Sequence, residues 1–455
     1  MLEATDLFVK LKSRGLIAAK APHPDFARTG FQERIMEKIT AVKGMKDILP
    51  ADAPVWHQVE LTARRIFERF GFCEIRVPIM EKTSLFQRSI GETTDIVEKE
   101  MYTFCDRDDE LLTLRPEATA SIIRAYIEHN LAGVEPVTKL FTIGPMFRRE
   151  RPQKGRFRQF HQIDVEVFGD NSPASDAEVI FMLMHFLKET GLTELSLEIN
   201  SLGCGTCRPA FSQAVVDYLK GSEEALCPDC RRRIVTNPLR VFDCKVETCA
   251  SVIDGAPRIP DYLCPDCNEH FSTVQSLLTD LQLDFALNPK MVRGLDYYTK
   301  TAFEVKSGAL GAQNSLAGGG RYDGLVRFLG GPDVSGIGFG IGMERLIACL
   351  PSGAESAGRT DLFIAALGSR AQKRGFRLTH ELRAAGIAAA MDYGDKSLKS
   401  QMKRADKLNS AYTLILGDKE IDEQRAELRD MSTKQQQSLP LKDIAQALMN
   451  ILKER

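Results

Sequence analysis

Apolar residues between positions 55 and 70 fall at Val55, Val59, Leu61, Ile66 and Phe70, close to the spacing of one helical face, and Gly71 supplies a stop. A strand is expected over 73–77, ended by Pro78 because proline cannot donate to a sheet ladder. Helix, strand and proline in this order would suit a dimer interface. Strand-like runs recur over 139–143, 162–168, 195–199 and 301–305, too many for a helical bundle. An antiparallel sheet flanked by helices is therefore the expected core, an α+β arrangement. After the linker-like composition of 351–358 the pattern changes. Strands expected over 361–367, 387–391 and 412–416 alternate with helical stretches of the length a βαβ unit needs, so a separate C-terminal α/β domain is expected.

Length agrees with this division, since 455 residues exceed what one compact core serves. The expected domain structure is one domain in two parts, 36–200 and 284–350, interrupted by a cysteine-rich insertion at 201–283 and followed by a linker at 351–358 and a C-terminal domain at 359–455. Residues 1–35 carry no motif, and Met36 offers a second plausible beginning before Gly44-Met45-Lys46-Asp47, so this stretch reads as a tail or a mis-called start. Hydrophobic residues at 43% and charged residues at 27% fit an ordinary globular chain and exclude a fibrous or disordered one. A formal net charge of -2 gives no global attraction to nucleic acid, so a polyanion would have to meet local basic patches. No segment approaches the roughly 20 apolar residues of a membrane helix, and no apolar signal-peptide core is present at the start. The chain reads as cytoplasmic.

One such basic patch is the segment FRRERPQKGRFR at 147–158, with six basic side chains, one acid, and turn-forming Pro152 and Gly155. It is expected as strand, loop, strand. Its guanidinium groups can fork onto phosphate oxygens, which suits a triphosphate and a nearby polynucleotide end; a solvated charged loop is the alternative. Downstream, Gly338-Phe339-Gly340-Ile341-Gly342-Met343-Glu344-Arg345 places an arginine after a glycine-rich strand, at a helix start. Of eleven cysteines, eight lie between 204 and 267: Cys204/Cys207, Cys227/Cys230 and Cys264/Cys267 as CxxC pairs, with Cys244 and Cys249 more widely spaced. Repeated CxxC in a cytosolic chain points to structural zinc, in one site or two, against the alternative of reduced buried thiols.

The proline after the first helix, the FRxE segment and the GxGxER segment occur in the order of the three signatures of class II aminoacyl-tRNA synthetases. Within that class, VRGLDYY (292–298), AGGGRYDGL (317–325) and LRPEAT (114–119) resemble segments peculiar to histidyl-tRNA synthetases. The resemblance implies a class II fold with an anticodon-binding C-terminal domain and a homodimer. It implies ATP-dependent activation of L-histidine to histidyl-adenylate, with Mg2+ accompanying ATP, and transfer of histidine to the 3' end of tRNA(His).

The residue roles that follow from the resemblance are expectations. Arg148 would contact the α-phosphate and the histidine carboxylate, and Arg293 would supply charge to the transition state, the alternative being an ion pair with Asp296. Arg345 would hold the γ-phosphate, with Arg156 nearby, while Phe160 stacks on adenine and Glu150 accepts from its amine. Glu166 and Tyr298 would read the two imidazole nitrogens; the alternative for Glu166 is an outward-facing strand residue, but it alternates with Gln162 and Asp164 on one face of its strand. Glu117, Ala118, Thr119 and Gln162 would surround the α-amino group, and Tyr297 and Tyr322 would line the pocket. Arg151, Gln153 and Lys154 would meet the tRNA acceptor end. A basic group expected on one helix of the last domain, Lys396, Lys399, Lys403, Arg404 and Lys407, resembles an anticodon-facing surface, a solvated helix face being the alternative. Two rivals remain: a catalytically silent relative that binds histidine as a signal, as in the regulatory subunit of ATP phosphoribosyltransferase, and a zinc-dependent nucleic-acid module.

Overall fold

The computed structural model describes residues 38–91, 94, 96–152, 155–293, 297–311, 314–351 and 360–453, and these fall into two compact units divided within the linker. The expected tail, the linker beyond Pro351, Gln153, Lys154 and residues 294–296 lie outside the described residues.

The helix Ala53–Arg69 buries Trp56, Val59, Ala63, Ile66 and Phe67, a stripe of helical period. Leu61, expected on that stripe, is out of phase with it and 60% exposed. In chain order the strands of the first unit are β1 (Cys73–Glu74), β2 (Met80–Lys82), β3 (Tyr102–Cys105), β4 (Leu111–Leu114), β5 (Thr138–Phe147), β6 (Gln159–Phe168), β7 (Leu195–Ser201), β8 (Ala286–Leu287), β9 (Thr299–Ser307), β10 (Ser315–Arg321) and β11 (Gly336–Gly342). Eight of them form one sheet in the order β1-β5-β6-β11-β10-β9-β7-β8, antiparallel through its middle and parallel only at its two edges. β2, β4 and β3 make a small second sheet.

The helices Ala53–Arg69 and Pro173–Glu189 cover one face of the large sheet. There Phe67 meets Phe141 of β5 at 5.4 Å, Phe186 of the second helix at 5.5 Å and Phe339 of β11 at 6.1 Å, edge-on or tilted. Such aromatic pairs contribute beyond the area they bury. The sheet's other face carries the polar residues described below.

Two sequence expectations need correction. The strand expected over 73–77 pairs at Cys73 and Glu74, with Ile75 N donating to Phe141 O at 2.8 Å beyond them; the Val77 carbonyl then accepts from Arg115 Nη1 at 2.9 Å while Arg115 Nε donates to Pro145 O at 2.9 Å. The basic segment 147–158 is not a hairpin of strands. β5 stops at Phe147 and β6 resumes at Gln159, so the segment is their connecting loop.

The insertion holds the helices Cys207–Lys220, Pro228–Thr236 and Glu247–Asp254; the helix Pro265–Asp280, expected within it, instead buries Phe271, Val274 and Leu278 in the core of the large sheet. In the second unit, β12 (Leu362–Leu367), β13 (Ala389–Met391) and β14 (Tyr412–Gly417) are parallel neighbours joined through the helices Ser369–Ala384 and Leu398–Lys407, the βαβ pattern expected. β15 (Arg425–Asp430) and β16 (Gln436–Pro440) extend the sheet antiparallel to order β13-β12-β14-β15-β16. They escape sequence reading because Arg425–Asp430 buries only Ala426 and Leu428 among charged neighbours. Of the basic group, Lys396 precedes the helix, and Asp392 holds it at 3.5 Å and Arg404 at 2.9 Å.

The first unit is locked by a buried ionic knot. Arg321, at the end of β10, is fully buried; its guanidinium donates to both carboxylate oxygens of Asp176 and to the carbonyls of Asp170 and Ser172. His270, on the helix Pro265–Asp280, meets the same Asp176 at 2.8 Å. Burial opposes the ionised carboxylate, but the bonds from His270 and Arg321 outweigh it and hold Asp176 below the usual carboxylate range. Removing one partner leaves an uncompensated buried charge, so Asp176→Ala should cost about 3–5 kcal/mol. Urea unfolding followed on the first unit's transition measures it, and a loss below about 1 kcal/mol would mean that this knot is not integral to the fold.

Candidate active site

A cleft of about 330 Å³ opens over the strands β6, β11 and β10. Its floor is smooth because β10 and β11 present glycines where a sheet ordinarily carries side chains. A Cβ at Gly318 would collide with the Arg293 guanidinium, and one at Gly338 with the Glu166 carboxylate. Charged side chains from neighbouring segments thus lie flat on the sheet.

One end of the cleft is acidic. Gln162, Asp164 and Glu166 alternate along β6 and all line it, as period-two geometry requires. Glu166 accepts from Thr119 Oγ1 at 2.6 Å and from the Tyr322 hydroxyl. Glu117 accepts from the backbone N–H groups of Thr119 (2.8 Å) and Ala120 (3.0 Å), at the start of the helix Thr119–Glu128. Each of these oxygens keeps lone-pair capacity for a ligand. Three buried carboxylates so close together do not ionise independently. Burial, and then the charge of Glu117, pushes Asp164 up to about 8; burial first, with Asp164 and Glu117 adding, pushes Glu166 up to about 8 against the bonds from Thr119 and Tyr322. Burial raises the Tyr297, Tyr298 and Tyr322 hydroxyls too, so they remain protonated donors.

The other end is basic. Arg148, Arg156 and Arg345 line it together with Phe157, Phe160 and Gly155. The Arg148 guanidinium lies 5.3 Å from the Phe160 ring and donates to Pro116 O at 2.9 Å. Arg345 donates to Ser315 O at 2.7 Å and Gly155 O at 3.2 Å, and Arg156 pairs with Glu150 at 2.9 Å. Burial, then the positive charges of Arg156 and Arg148, lowers the Arg345 pKa, a cluster that an anion would relieve.

Arg293 stands between the two ends. Its guanidinium is 5.7 Å from the Tyr298 ring and 3.5 Å from Glu304, whose carboxylate also accepts from Ser315 at 2.7 Å. The alternative partner Asp296 lies outside the described residues. Three buried polar atoms in the cleft, Gln162 Oε1, Asp164 Oδ2 and Arg293 Nε, have no hydrogen-bond partner among the described residues. An unpaired buried group costs about 1–3 kcal/mol, which a polar ligand would recover. With carboxylates at one end and arginines at the other, the site accepts a cationic group joined to, or beside, an anionic one.

Of the expected site residues, Glu117, Thr119, Arg148, Glu150, Arg156, Phe160, Gln162, Glu166, Arg293, Tyr297, Tyr298, Tyr322 and Arg345 all line this cleft. Ala118 does not. Its methyl group is fully buried in the core cluster with Ile122 and Tyr126 and offers nothing to an ammonium. Arg151 is exposed and outside the lining, and Gln153 and Lys154 lie outside the described residues. Asp164, which the sequence places on the same strand face as Gln162 and Glu166, receives no role there, yet it lines the cleft with them. Sequence reasoning passed over Glu304 and Glu344. Glu344 receives the His161 backbone N–H at 2.9 Å and fixes the start of the last cleft helix against β6.

Comparisons with known proteins point to one family. A family model described as histidyl-tRNA synthetase matches residues 44–206 and 246–346, and one described as an anticodon binding domain matches 361–451. The chain is 52% identical to a histidine–tRNA ligase of Syntrophotalea carbinolica over 90% of its own length and 98% of the relative's. It is 54% identical to that of Desulfosudis oleivorans, over 91% and 98%. The crystal structure of apo histidyl-tRNA synthetase from S. aureus superposes with a TM-score of 0.77 at 36% identity, covering 90% of this chain and all of that one. With a matching family model over more than half its length and relatives sharing half its residues almost end to end, the chain belongs to the histidyl-tRNA synthetase family.

Proposed function

We propose that the cleft activates L-histidine with ATP and passes the histidyl group to tRNA(His), with histidine at the acidic end and the triphosphate at the basic end. The observation that carries this is the charge division itself, three buried carboxylates against three arginines with Arg293 between them.

Glu166 accepts the N–H of the imidazole and the Tyr298 hydroxyl meets the other ring nitrogen. A site whose buried polar groups need both partners rejects amino acids that lack them. Glu117, Thr119 and Gln162 hold the α-ammonium, with Asp164 as a further acceptor beside them. Arg148 brings the histidine carboxylate to the α-phosphate. Phe160 stacks on adenine, Glu150 accepts from its amine, and Arg345 and Arg156 hold the outer phosphates.

A carboxylate oxygen attacks the α-phosphorus, a new P–O bond forms, the α–β bridging bond breaks and diphosphate leaves. Negative charge grows on the α-phosphoryl oxygens, and Arg293 meets it with a fixed cation. The terminal ribose hydroxyl of the tRNA then attacks the carbonyl carbon, and AMP departs. Magnesium enters with ATP. Glu150 and Glu304 are paired with arginines and Glu344 with His161, so the phosphates would hold the metal rather than a cage of carboxylates.

Arg151, with Gln153 and Lys154, meets the acceptor end, and the second unit meets the anticodon. The chain works as a homodimer, for which the short edge strand β1 and the exposed Ile79 and Met80 near it offer a face. The insertion's cysteines belong to this reading as ligands of structural zinc with no part in the chemistry. No described helix is long and apolar enough to cross a membrane.

Amino-acid-dependent exchange of pyrophosphate into ATP tests the reading: histidine alone among the standard amino acids should stimulate it, and stimulation by another instead would overturn the substrate assignment. Arg293→Ala should lower the turnover of that exchange by on the order of 10²–10³-fold with little change in the KM for ATP, because its charge is needed as the transition state forms. An unchanged turnover removes Arg293 from the mechanism.

A third prediction concerns protons. Carboxyls raised to about 8 stay protonated in the empty cleft at neutral pH, so their contribution to stability is fully present below the ordinary carboxylate range and lost as pH rises through about 8. The histidine ammonium favours the ionised form of Asp164 and the imidazole N–H that of Glu166. Histidine binding at pH 7 should therefore release protons, seen as a calorimetric heat that depends on the buffer's ionisation enthalpy. Glu166→Gln should reduce that release and weaken histidine binding. A buffer-independent heat for the unaltered chain would show that the cleft is already ionised.

A further inference from the structure

The eight cysteines of the insertion, all free thiols, separate into two sets. The outer set brings Cys204 and Cys207 together with Cys264 and Cys267; the inner set brings Cys227 and Cys230 together with Cys244 and Cys249. Within each set all four Sγ atoms lie within 4.8 Å of one another. Cys204 Sγ is 3.7 Å from that of Cys207 and 3.9 Å from that of Cys264, and Cys227 Sγ is 3.9 Å from that of Cys244. A tetrahedral zinc with Zn–S bonds of about 2.3 Å requires S···S edges of about 3.8 Å. Backbone N–H groups already point at the sulfurs: Cys264 N donates to Cys207 Sγ at 3.1 Å and Cys227 N to Cys249 Sγ at 3.1 Å, bonds that favour thiolate ligands.

The two sets sit in different surroundings. The inner one joins the helices Pro228–Thr236 and Glu247–Asp254, and Cys230 and Cys249 are buried in a small core with Phe211, Val215, Leu226 and Ile253. The outer one closes the neck, tying the chain as it leaves β7 to the helix that returns it. Next to Cys207, Arg208 Nε donates to Leu202 O at 3.3 Å, and Arg208 Nη2 donates to the carbonyl of Tyr298. Leu202 N donates to Lys300 O at 2.6 Å and Lys300 N to Gly203 O at 2.8 Å, pairing the neck with the start of β9. A cavity of about 180 Å³ lined by Arg208, Phe211, Met291, Arg293 and Tyr298 lies beside this contact.

We propose that each set binds one zinc ion and that the two do different work: the outer zinc, through Arg208, positions Tyr298 and hence the histidine pocket, whereas the inner zinc holds only the insertion's own small core. Four thiolates can supply folding energy that a core of this size lacks. Arg208 is a positioning residue, one hydrogen bond from Tyr298, and the outer cysteines act through it.

The role of the outer site rests on the histidine reading above, while the metal content does not, so the two can fail separately. The test is metal analysis of the purified full chain together with pyrophosphate-exchange kinetics. The expected result is two zinc ions per chain. Cys267→Ser should leave one zinc and raise the KM for histidine about tenfold with the KM for ATP unchanged. Cys230→Ser should also leave one zinc but leave the KM for histidine unchanged. Arg208→Ala, which touches no ligand, should keep both zinc ions and reproduce the histidine defect, and Arg208→Lys should restore part of it. Fewer than two metal ions, or iron in place of zinc, overturns the metal assignment. Equal histidine effects from the two cysteine variants, or a normal histidine KM in Arg208→Ala, overturns the division of labour. Exchange stimulated by another amino acid instead of histidine overturns the functional reading and leaves the zinc count standing.

Discussion

Glu117, Asp164 and Glu166 are buried within one cleft, and much of the surrounding structure is what three such carboxylates require. Charge of one sign in a low-dielectric site is destabilising unless it is neutralised, paired or shared with protons. All three means are present. Asp164 and Glu166 hold protons well above the ordinary carboxylate range, Glu117 is bound by the first N–H groups of a helix, and Arg115 and Arg148 add positive charge. The glycines of β10 and β11 follow from the same constraint, since Glu166 and Arg293 can reach their places only where the floor has no side chains.

The neck of the insertion is the second place where packing and chemistry meet. β7 and β9 are neighbours in the sheet, yet the chain between them leaves to build the insertion. Its return helix, Pro265–Asp280, is fastened twice, by Cys264 and Cys267 against the outgoing strand's end and by His270 against Asp176. Since Asp176 also binds Arg321, the same knot fixes β10, whose glycines form the cleft floor. Insertion and cleft are thus linked through named side chains rather than through general proximity.

Much of this was legible in the sequence where side-chain period carries the information. The first helix, β5, β6, β7, β9 and the three parallel strands of the second unit all announce themselves by apolar spacing, and motif residues from segments far apart in the chain meet in one cleft. What was not legible has physical causes. β10 reads as Gly318-Gly319-Gly320, a composition that ordinarily argues against a strand, and it is a strand because neighbouring side chains fill the missing volume. The strand at 73 is shorter than its apolar run, and the Val77 carbonyl beyond it is held by the guanidinium of Arg115, a long-range partner that no local pattern could reveal. The partition of eight cysteines into nested sets is likewise a matter of which helices pack together, because the spacing alone permits several.

The cleft also explains where the first unit must be strong. Gln162 Oε1, Asp164 Oδ2 and Arg293 Nε are buried without protein partners, and each such group costs about 1–3 kcal/mol until a ligand arrives. The same unpaired groups make discrimination sharp, because a ligand that leaves them unsatisfied does not recover that cost. Selectivity is therefore obtained at the expense of the empty protein's stability. The compensation lies on the opposite face of the sheet and at its rim, in the aromatic cluster around Phe67 and in the Asp176 knot. Both hold β5, β6, β10 and β11 in a register that keeps the unsatisfied groups aimed inward instead of letting them relax onto one another.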